Sequence, residues 1–270
     1  MIKKGLKFKQ FTDFRLVSNS KEELLTYLGR AIGEGRRMWL ATPNPEFVIA
    51  SKKDSSFRAV LLEAAILIPD GIGLIWGLRV IRQRTFLGRF LTGIKTGFLV
   101  LGGRLADRVI AGTDLMVDLC ALACRKGWPV YFLGGRPGIA QKTLEILKNR
   151  FPGLQGEAGT GPWEDFSRKN HGSAEKFWIK EINRFRPRLL FVALGMGKQE
   201  RFISRNWSCL KVNLAMGVGG AFDQLVDSSL NPPPAFKKSG LGWFYRLWRQ
   251  PWRWRRQSAL LKFIWLTLKG

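Results

Sequence analysis

The sequence predicts an α/β protein with a Rossmann-like, doubly wound and mainly parallel sheet. Short apolar runs without polar alternation recur along the chain, as is typical of parallel strands buried on both faces. Each run ends in a cluster of glycine or polar residues, and amphipathic stretches separate the runs. Such units form right-handed βαβ connections, and ligands bind beyond the carboxyl ends of their strands.

The clearest strands are five apolar runs, each followed by a break. They cover residues 38–41 before Thr42-Pro43-Asn44, 65–68 before Pro69-Asp70-Gly71, 129–133 before Gly134-Gly135, 189–194 before Gly195, and 212–216 before Gly217. Because the carboxyl ends of parallel strands meet at one edge of a sheet, the residues at these breaks are the first candidates for a ligand site.

Three intervening stretches have the periodicity of amphipathic helices. The first covers 20–34, with Ser20 as the N-cap and Glu23 three residues later, which is the pattern of a capping box. The stretches 113–126 and 138–151 are similar, and the second ends before a Pro-Gly pair. These stretches supply the connections that a parallel sheet needs.

Two regions differ from this pattern. Residues 79–108 carry seven basic residues and one acidic residue, and we interpret 82–104 as a basic-aromatic insertion. Residues 237–270 hold nine basic residues, five tryptophans and no acidic residue. Three consecutive prolines from Pro232 interrupt any helix, so we expect an α/β domain over 1–233 and a helical, membrane-associating appendage over 234–270.

The charge of the chain narrows the class of partner. Lys and Arg total 45 against 20 Asp and Glu, a formal net charge of +25, which predicts a polyanion: nucleic acid, an anionic lipid surface or a phosphorylated substrate. In the appendage, tryptophans favour the headgroup boundary and arginines attract anionic headgroups. We therefore expect membrane contact there, rather than a helix packed only on the domain's own core. No apolar run reaches the roughly 20 residues of a membrane span.

The cysteines and the single histidine exclude two kinds of site. Cys120, Cys124 and Cys209 form no disulfide framework, and with His171 they cannot build a standard zinc site. They indicate a reducing compartment, and the N-terminus lacks the apolar segment of a signal peptide. We expect a cytoplasmic protein without a metal site.

Taken singly, the motifs at the strand ends are ambiguous. The glycine-rich turn after residue 133 could hold a phosphate at a helix N-terminus or be an ordinary turn. Asp70 could take a proton from a hydroxyl group or cap the next helix. Gln199 and Glu200 could belong to a site or face solvent on a helix.

Together, the motifs form an ordered series that resembles the WecG/TagA/CpsF family of bacterial glycosyltransferases over roughly residues 10–257. The series comprises Thr42-Pro43-Asn44, Pro69-Asp70-Gly71, Arg108 with Gly112-Thr113-Asp114, 131–135, 192–200, 217–223, 240–247 and 251–256. Where the family usually has proline and glutamate, this chain has Gly197 and Gly242.

The resemblance implies an inverting transfer of N-acetylmannosamine or a related hexose. The donor would be a UDP-sugar and the acceptor an undecaprenyl-diphosphate-linked sugar, in teichoic acid or other surface polysaccharide synthesis. The enzyme would be peripheral on the inner face of the bacterial cell membrane and would need no metal or other cofactor. The resemblance implies no nucleic-acid partner, and a homodimer stays open.

The resemblance also implies a role for each matched residue. Asp70 matches the catalytic base and Gln199 an active-site polar residue, while Arg108, with Arg79 as its competitor, matches an arginine that faces the leaving diphosphate. The other matches are Thr42 and Asn44 for the acceptor or sugar, Gly134, Gly135, Gly195, Lys198, Glu200 and Asp223 for the UDP donor, and Arg246, Arg253 and Arg256 for the diphosphate or the membrane.

Two other functional classes stay open on the residues alone. A nucleic-acid-binding protein would account for the charge and the aromatic residues, but not for polar clusters at strand ends. A non-catalytic membrane scaffold would keep the fold and lose the reaction.

Overall fold

The computed structural model describes residues 5–105, 108–161, 171–249, 251 and 254–270. These residues form an eight-stranded sheet with helices on both faces, which confirms the α/β prediction. The strands are β1 Phe8–Phe11, β2 Phe14–Val17, β3 Met38–Ala41, β4 Ile66–Leu67, β5 Val130–Gly134, β6 Gly156–Gly159, β7 Leu189–Ala193 and β8 Leu214–Gly217.

Thirteen α-helices occur in the same part of the chain. They are α1 Lys21–Gly33, α2 Pro45–Lys53, α3 Ser55–Glu63, α4 Ile72–Val80, α5 Phe86–Leu101, α6 Gly112–Lys126, α7 Ile139–Arg150, α8 His171–Phe185, α9 Lys198–Asn206, α10 Ala221–Val226, α11 Pro234–Lys238, α12 Gly242–Arg249 and α13 Trp254–Lys269.

The strand order is β1-β2-β4-β3-β8-β7-β5-β6. Among the described strands, β1 and β2 form an antiparallel pair and every other pairing is parallel. The five predicted strands are β3, β4, β5, β7 and β8. The sequence pattern missed β1, β2 and β6 because these strands lie at or near the sheet edges and lack an uninterrupted apolar run.

The central strands are buried on both faces, as their composition predicts. Along β3, Met38 and Leu40 pack into one core with α1, α6, α7 and α10, whereas Trp39 and Ala41 pack into the other with α2, α3, α4 and α9. Consecutive side chains of a strand point to opposite faces, so each strand contributes to both cores.

The first helix begins as the sequence predicts. The Ser20 hydroxyl accepts a hydrogen bond from the Glu23 backbone N–H, and the Glu23 carboxylate accepts one from the Ser20 N–H, each at 3.2 Å. Both bonds of the capping box are therefore present. The cap thus pairs backbone N–H groups that the first turn of α1 would otherwise leave without partners.

Most of the basic-aromatic region 82–104 forms one surface helix, α5. Its N-cap is Thr85, whose hydroxyl accepts from the Gly88 N–H at 3.1 Å. The buried side of α5 packs on α4, where the indole N–H of Trp76 donates to the Gly93 carbonyl at 2.9 Å, and it also contacts α13. In the described part of the chain, no helix is both long enough and apolar enough to cross a bilayer.

The C-terminal helix α13 packs on α2, α4 and α5 along one side. Phe263 on this side is fully buried, and its ring stacks on Phe11 with 5.5 Å between centroids. Packing on the domain's own core, the alternative to membrane contact, thus describes the inner side of this helix. Its outer side leaves Trp254, Leu261 and Trp265 exposed. The boundary at 233/234 and the membrane contact stay predictions.

Candidate active site

A cavity of about 820 Å³ lies beyond the carboxyl ends of β4, β3, β8, β7 and β5. Residues far apart in the sequence converge on it, because parallel strands end at a common edge. Its lining includes Thr42 and Asn44 after β3, Asp70 after β4, Gly135 and Arg136 after β5, Gly195 after β7, and Gly219 and Asp223 after β8.

Contacts with two neighbouring segments hold Asp70 in place in the lining of this cavity. Its backbone N–H donates to the Pro43 carbonyl at 2.8 Å, and its Oδ1 accepts from the Gly112 N–H at 3.4 Å. The following residue, Gly71, has φ 81° and is itself the N-cap of α4. The carboxylate therefore bonds to the start of α6 rather than capping α4, the next helix. This arrangement fixes a carboxylate at a strand end within the cavity.

The turn after β3 completes this part of the floor. Asn44 is the N-cap of α2, where its Oδ1 accepts from the backbone N–H groups of Glu46 at 2.9 Å and Phe47 at 3.2 Å. The cap fixes the orientation of the Asn44 side chain. Thr42 is buried and lies close to Gly112. A Cβ added at Gly112 would come within 3.4 Å of the Thr42 hydroxyl oxygen. We refer to Thr42, Asp70, Gly112 and Gln199 as the floor of the cavity.

Gln199 and Glu200 form a buried polar pair under the loop that follows β8. Gln199 Oε1 accepts from the Gly219 N–H at 2.9 Å, and its Nε2 donates to Glu200 Oε1 at 2.7 Å. Glu200 Oε2 accepts from the Gly197 N–H at 2.7 Å. Both side chains are almost completely buried, so the solvent-facing alternative is wrong.

The pair needs glycine in the neighbouring strand. A Cβ at Gly217 would come within 2.6 Å of Gln199 Nε2 and 2.9 Å of Glu200 Oε1. Burial raises the pKa of Glu200 to about 7, although the hydrogen bonds from Gln199 and Gly197 oppose that rise. Gln199 reaches the cavity, whereas Glu200 lies behind its wall and orients Gln199.

The β5 end of the cavity carries an ion pair. Arg136 Nη2 lies 3.1 Å from Asp223 Oδ1, and this pair joins the turn after β5 to α10. Gly134 lies outside the cavity lining and packs closely on β7, since a Cβ there would come within 2.7 Å of the Ala193 carbonyl oxygen. Gly135, the next residue, lines the cavity. Lys198 lines a separate hollow of about 420 Å³.

The two competing arginines lie in one cluster of cations beside the cavity. Arg108 is exposed and immediately precedes Val109, which lines the cavity. Burial, followed by the charges of Arg108, Arg82 and Arg79, lowers the pKa of Lys9, and burial and Arg108 lower the pKa of Arg79. The choice between Arg108 and Arg79 stays open.

The C-terminal region contributes one wall of the cavity. Gly240, Gly242, Trp243 and Leu260 all line it. Of the three predicted arginines, Arg253 lies outside the described residues, and the side chains of Arg246 and Arg256 lie outside the description as well. Their contacts with a diphosphate or a membrane stay predictions.

Several residues that line the cavity were not predicted from the sequence. Arg136 stands inside the glycine-rich turn from which only glycines were chosen, and Asp114 stands inside a quoted motif. The hydroxyl of Thr113 lies 3.2 Å from Gln224 Oε1 and links α6 to α10. Arg136 and Gln224 stand next to the chosen residues Gly135 and Asp223, and Thr113 and Asp114 stand in a motif that was quoted without a role for them. These were the available signals. Within the described residues, no three His, Cys, Asp or Glu side chains are grouped so that they could hold a metal ion.

This arrangement places a fixed carboxylate at one end of a roomy cavity and charged side chains at the other. The strand order puts four strand intervals between β4 and β5, which is about 19 Å at 4.8 Å per strand. Asp70 can accept a proton at one end, and Arg136 and neighbouring backbone N–H groups can face an anion at the other. The cavity therefore has room for two substrates side by side.

Comparisons with known proteins agree with this arrangement. The chain is 29% identical over 259 residues to an N-acetylglucosaminyldiphosphoundecaprenol N-acetyl-beta-D-mannosaminyltransferase of Bacillus spizizenii, covering 96% of this chain and 88% of that protein. It is 26% identical over 230 residues to a protein of the same name from Bacillus subtilis strain 168, covering 85% and 78%.

A family model matches almost the whole described chain. The model is that of the glycosyl transferase WecG/TagA/CpsF family, and it matches residues 10–94 and 92–270. Both matches together include the floor of the cavity, its charged end and the C-terminal wall. The chain is thus a glycosyltransferase and belongs to the WecG/TagA/CpsF family.

Proposed function

We propose that this enzyme transfers N-acetylmannosamine or a related hexose from a UDP-sugar to an undecaprenyl-diphosphate-linked sugar, with inversion at the anomeric carbon. The carrying observation is that Asp70, Thr42, Asn44, Gln199 and Asp223 all line one cavity. The names of the two relatives support the sugar and the acceptor, since both proteins are named as N-acetylmannosaminyltransferases acting on N-acetylglucosaminyldiphosphoundecaprenol. The product would enter teichoic acid or another surface polysaccharide.

In the proposed reaction, Asp70 acts as the general base. Its carboxylate takes the proton of an acceptor hydroxyl as the hydroxyl oxygen forms a bond to the anomeric carbon. The bond from that carbon to the diphosphate breaks at the same time, and UDP leaves on the opposite side of the sugar. The roughly 19 Å between the β4 and β5 ends allows base and leaving group to stand on opposite sides.

The remaining predicted residues would position the substrates. Thr42 and Asn44 adjoin Asp70, so we assign them to the acceptor or the transferred sugar. Gly135, Gly195 and Asp223 lie toward the other end, and we assign them to the UDP portion. Negative charge on the leaving diphosphate would be balanced by cations, for which Arg136 and the cluster around Arg108 are the described candidates.

Three further properties belong to this proposal. Transfer needs no metal or other cofactor, because fixed arginines would carry the compensating charge. The enzyme is peripheral on the inner membrane face, where its lipid-linked acceptor lies, and its C-terminal arginines contact diphosphate or headgroups. A homodimer is compatible with the proposal, and nucleic acid has no part in it.

An assay with a UDP-sugar panel and a lipid-diphosphate N-acetylglucosamine acceptor tests the reaction. We expect UDP-N-acetylmannosamine or a close relative to be consumed, with equal release of UDP and with inverted configuration in the product. Addition of a chelator should leave the rate unchanged. A rate that vanishes with the chelator and returns with a divalent cation would contradict the metal-independent reaction.

The substitution Asp70→Asn tests the base. Loss of a general base typically lowers a rate by about 10²- to 10⁴-fold, and we expect a fall in that range with UDP binding retained. The matched control is Asp118→Asn, which removes a carboxylate of α6 that pairs with Lys21 and does not line the cavity. Full activity in Asp70→Asn would exclude the assigned role, and a wild-type protein that binds UDP without any transfer would favour the scaffold alternative.

A further inference from the structure

The outer side of α5 carries an unusual row of exposed apolar side chains. Seven large apolar residues of this helix are between 45% and 71% exposed: Phe86, Leu87, Phe90, Leu91, Ile94, Phe98 and Leu101. We call this set the α5 stripe. Soluble monomers seldom expose so many apolar side chains together unless the surface meets a partner or a membrane.

The α5 stripe occupies a single side of its helix. At 3.6 residues per turn, its seven positions fall within an arc of about 140°. The buried positions, including Gly93 and Thr96, lie outside that arc and face α4. With 16 residues the helix is about 24 Å long, shorter than the roughly 30 Å hydrocarbon core of a bilayer. Its shape therefore suits a helix that lies along an interface.

The neighbouring helix α13 also carries a row of exposed apolar side chains. Trp254, Leu261 and Trp265 on its outer side are 62% to 70% exposed, although its inner side is buried in the protein core. Arg89 of α5 holds the two helices together, since its Nη1 donates to the carbonyl of Lys269 at 2.7 Å and to that of Leu268 at 3.3 Å. The two exposed rows thus lie on helices that touch.

The charges on α5, on α13 and in the segments next to them in the sequence are all positive. No acidic residue occurs between Gly71 and Leu105 or after Asp227. Lys95 on α5 is exposed, as are Arg82 and Arg84 before the helix and Arg104 after it. An apolar stripe bordered by cations is complementary to the boundary between anionic headgroups and acyl chains.

The surface also adjoins the active-site cavity. The last turn of α5 packs on Gly240, where an added Cβ would lie 2.7 Å from Val100 Cγ1. Gly240 itself lines the cavity, together with Trp243 from α12 and Leu260 from α13. A bilayer against α5 would therefore lie next to the wall of the cavity in which the lipid-linked acceptor reacts.

We propose that the α5 stripe, with the outer side of α13, inserts into the headgroup–acyl boundary of an anionic bilayer and seats the cavity against it. The inserted element is thus the helix within 82–104, in addition to the C-terminal tail. The inference extends the proposed function, which supplies the lipid-linked acceptor. The membrane is favoured over single-stranded nucleic acid because leucine and isoleucine side chains offer no flat ring for base stacking.

Sedimentation with vesicles tests the proposal. The test variant is Leu87→Gln/Leu91→Gln/Phe98→Gln, and all three replaced side chains are more than half exposed, so folding should be preserved. With phosphatidylglycerol/phosphatidylethanolamine vesicles, we expect the variant to bind about 100-fold more weakly than the wild type, because it lacks three apolar side chains that the bilayer would bury. Phosphatidylcholine vesicles should bind the wild type more weakly than anionic ones.

Two further variants make the comparison specific. The matched control Leu62→Gln/Ile146→Gln/Phe177→Gln replaces exposed apolar residues on α3, α7 and α8 and should bind vesicles like the wild type. The conservative variant Leu87→Ile/Leu91→Ile/Phe98→Leu should also keep wild-type binding. Equal vesicle binding by the wild type and the test variant overturns the proposal, and so does equal weakening in the control variant.

A second copy of the chain is the competing occupant of the stripe. If it were the occupant, the test variant would turn a lipid-free dimer into a monomer and keep its vesicle binding, which overturns the membrane proposal. Transfer to a short-chain, water-soluble acceptor separates this inference from the proposed function. We expect the test variant to keep that activity, whereas failure of the proposed function would remove it from the wild type as well.

Discussion

At the floor of the cavity, polar side chains are half-buried or buried and form hydrogen bonds with the backbone of neighbouring segments. On the helices α5, α12 and α13, which we call the rim, apolar side chains are exposed. Asp70 and Gln199 belong to the first group, and α5, α12 and α13 form the second. The floor achieves rigidity through hydrogen bonds that leave little freedom to a reacting group. The apolar side chains of the rim are in contact with water, which indicates a surface that a membrane or another partner covers. The proposed catalysis and the proposed membrane contact thus use opposite arrangements in one protein.

The docking of α13 is the point where the two regions depend on each other. We expect Phe263→Ala to lower the free energy of unfolding by about 3–5 kcal/mol, because the substitution leaves a cavity against Phe11 and Trp76 in the core. Denaturant unfolding at constant pH measures this change.

The control lies on the same helix. Trp265→Ala removes a side chain that is 62% exposed and should change the free energy of unfolding by less than about 0.5 kcal/mol. A similar loss in both variants would show that the inner and outer sides of α13 contribute equally to stability, and the contrast between floor and rim would fail.

The buried pair at the floor should make stability depend on pH. The raised pKa of Glu200 means that the folded protein holds this proton more tightly than the unfolded chain, whose carboxyl group titrates near 4.5. The associated stability is fully present below about pH 4.5 and is lost as the pH rises toward 7. At about 1.4 kcal/mol per pKa unit, the loss is at most about 3.5 kcal/mol.

The variant Glu200→Gln isolates this effect because it does not titrate. Its amide disturbs one of the two hydrogen bonds, so it should be less stable than the wild type. The informative quantity is the difference in unfolding free energy between the two proteins, which should narrow as the pH rises from 4.5 to 7. A difference that stays constant over this range would contradict the raised pKa.

The smallest expected effect concerns the ion pair at the β5 end. Arg136→Ala should change the free energy of unfolding by less than about 1 kcal/mol, because the Arg136 side chain is 69% exposed and water screens the pair. Its KM for the UDP donor should nevertheless rise and its kcat should fall, with kcat/KM about 10-fold lower, because a cation that balances charge on the leaving diphosphate acts on the bound donor and more strongly in the transition state.

Arg184→Ala is the matched variant for this test. It removes an equally exposed arginine that pairs with Glu181 on α8, and it should leave the KM unchanged. Equal KM values for the wild type and Arg136→Ala would remove this residue from the donor site and leave the charged end without its assigned function.

The sequence predicted the strands and residues of the floor better than it predicted the rim. The runs before Asp70 and Gly135 are apolar on both faces, and this local property identifies a central parallel strand without knowledge of its neighbours. The hydrogen bond from Gly112 to Asp70 joins residues 42 positions apart. The strand pattern indicated that the strand ends meet at one edge of the sheet, but it did not place Gly112, at the start of a helix, beside Asp70.

The rim was harder to predict because the exposure of its apolar side chains depends on which side of each helix packs on the rest of the protein. Charge and aromatic content marked 82–104 as different, but the sequence could not distinguish an insertion packed inward from one that leaves seven apolar side chains exposed. The same uncertainty concerned α13, where inner packing and outer exposure proved to coexist on one helix. Lys198, chosen by position in a motif, instead faces a separate hollow.

Trp243 and Leu260 line the cavity from the C-terminal region, so the reaction chamber is closed on that side only while α12 and α13 are docked. A glycosyl donor is also consumed when water, rather than an acceptor, attacks its anomeric carbon. Closing the chamber excludes water, and this exclusion protects the bound donor from hydrolysis. The fraction of donor that is hydrolysed rather than transferred should therefore report how stably the C-terminal helices are docked.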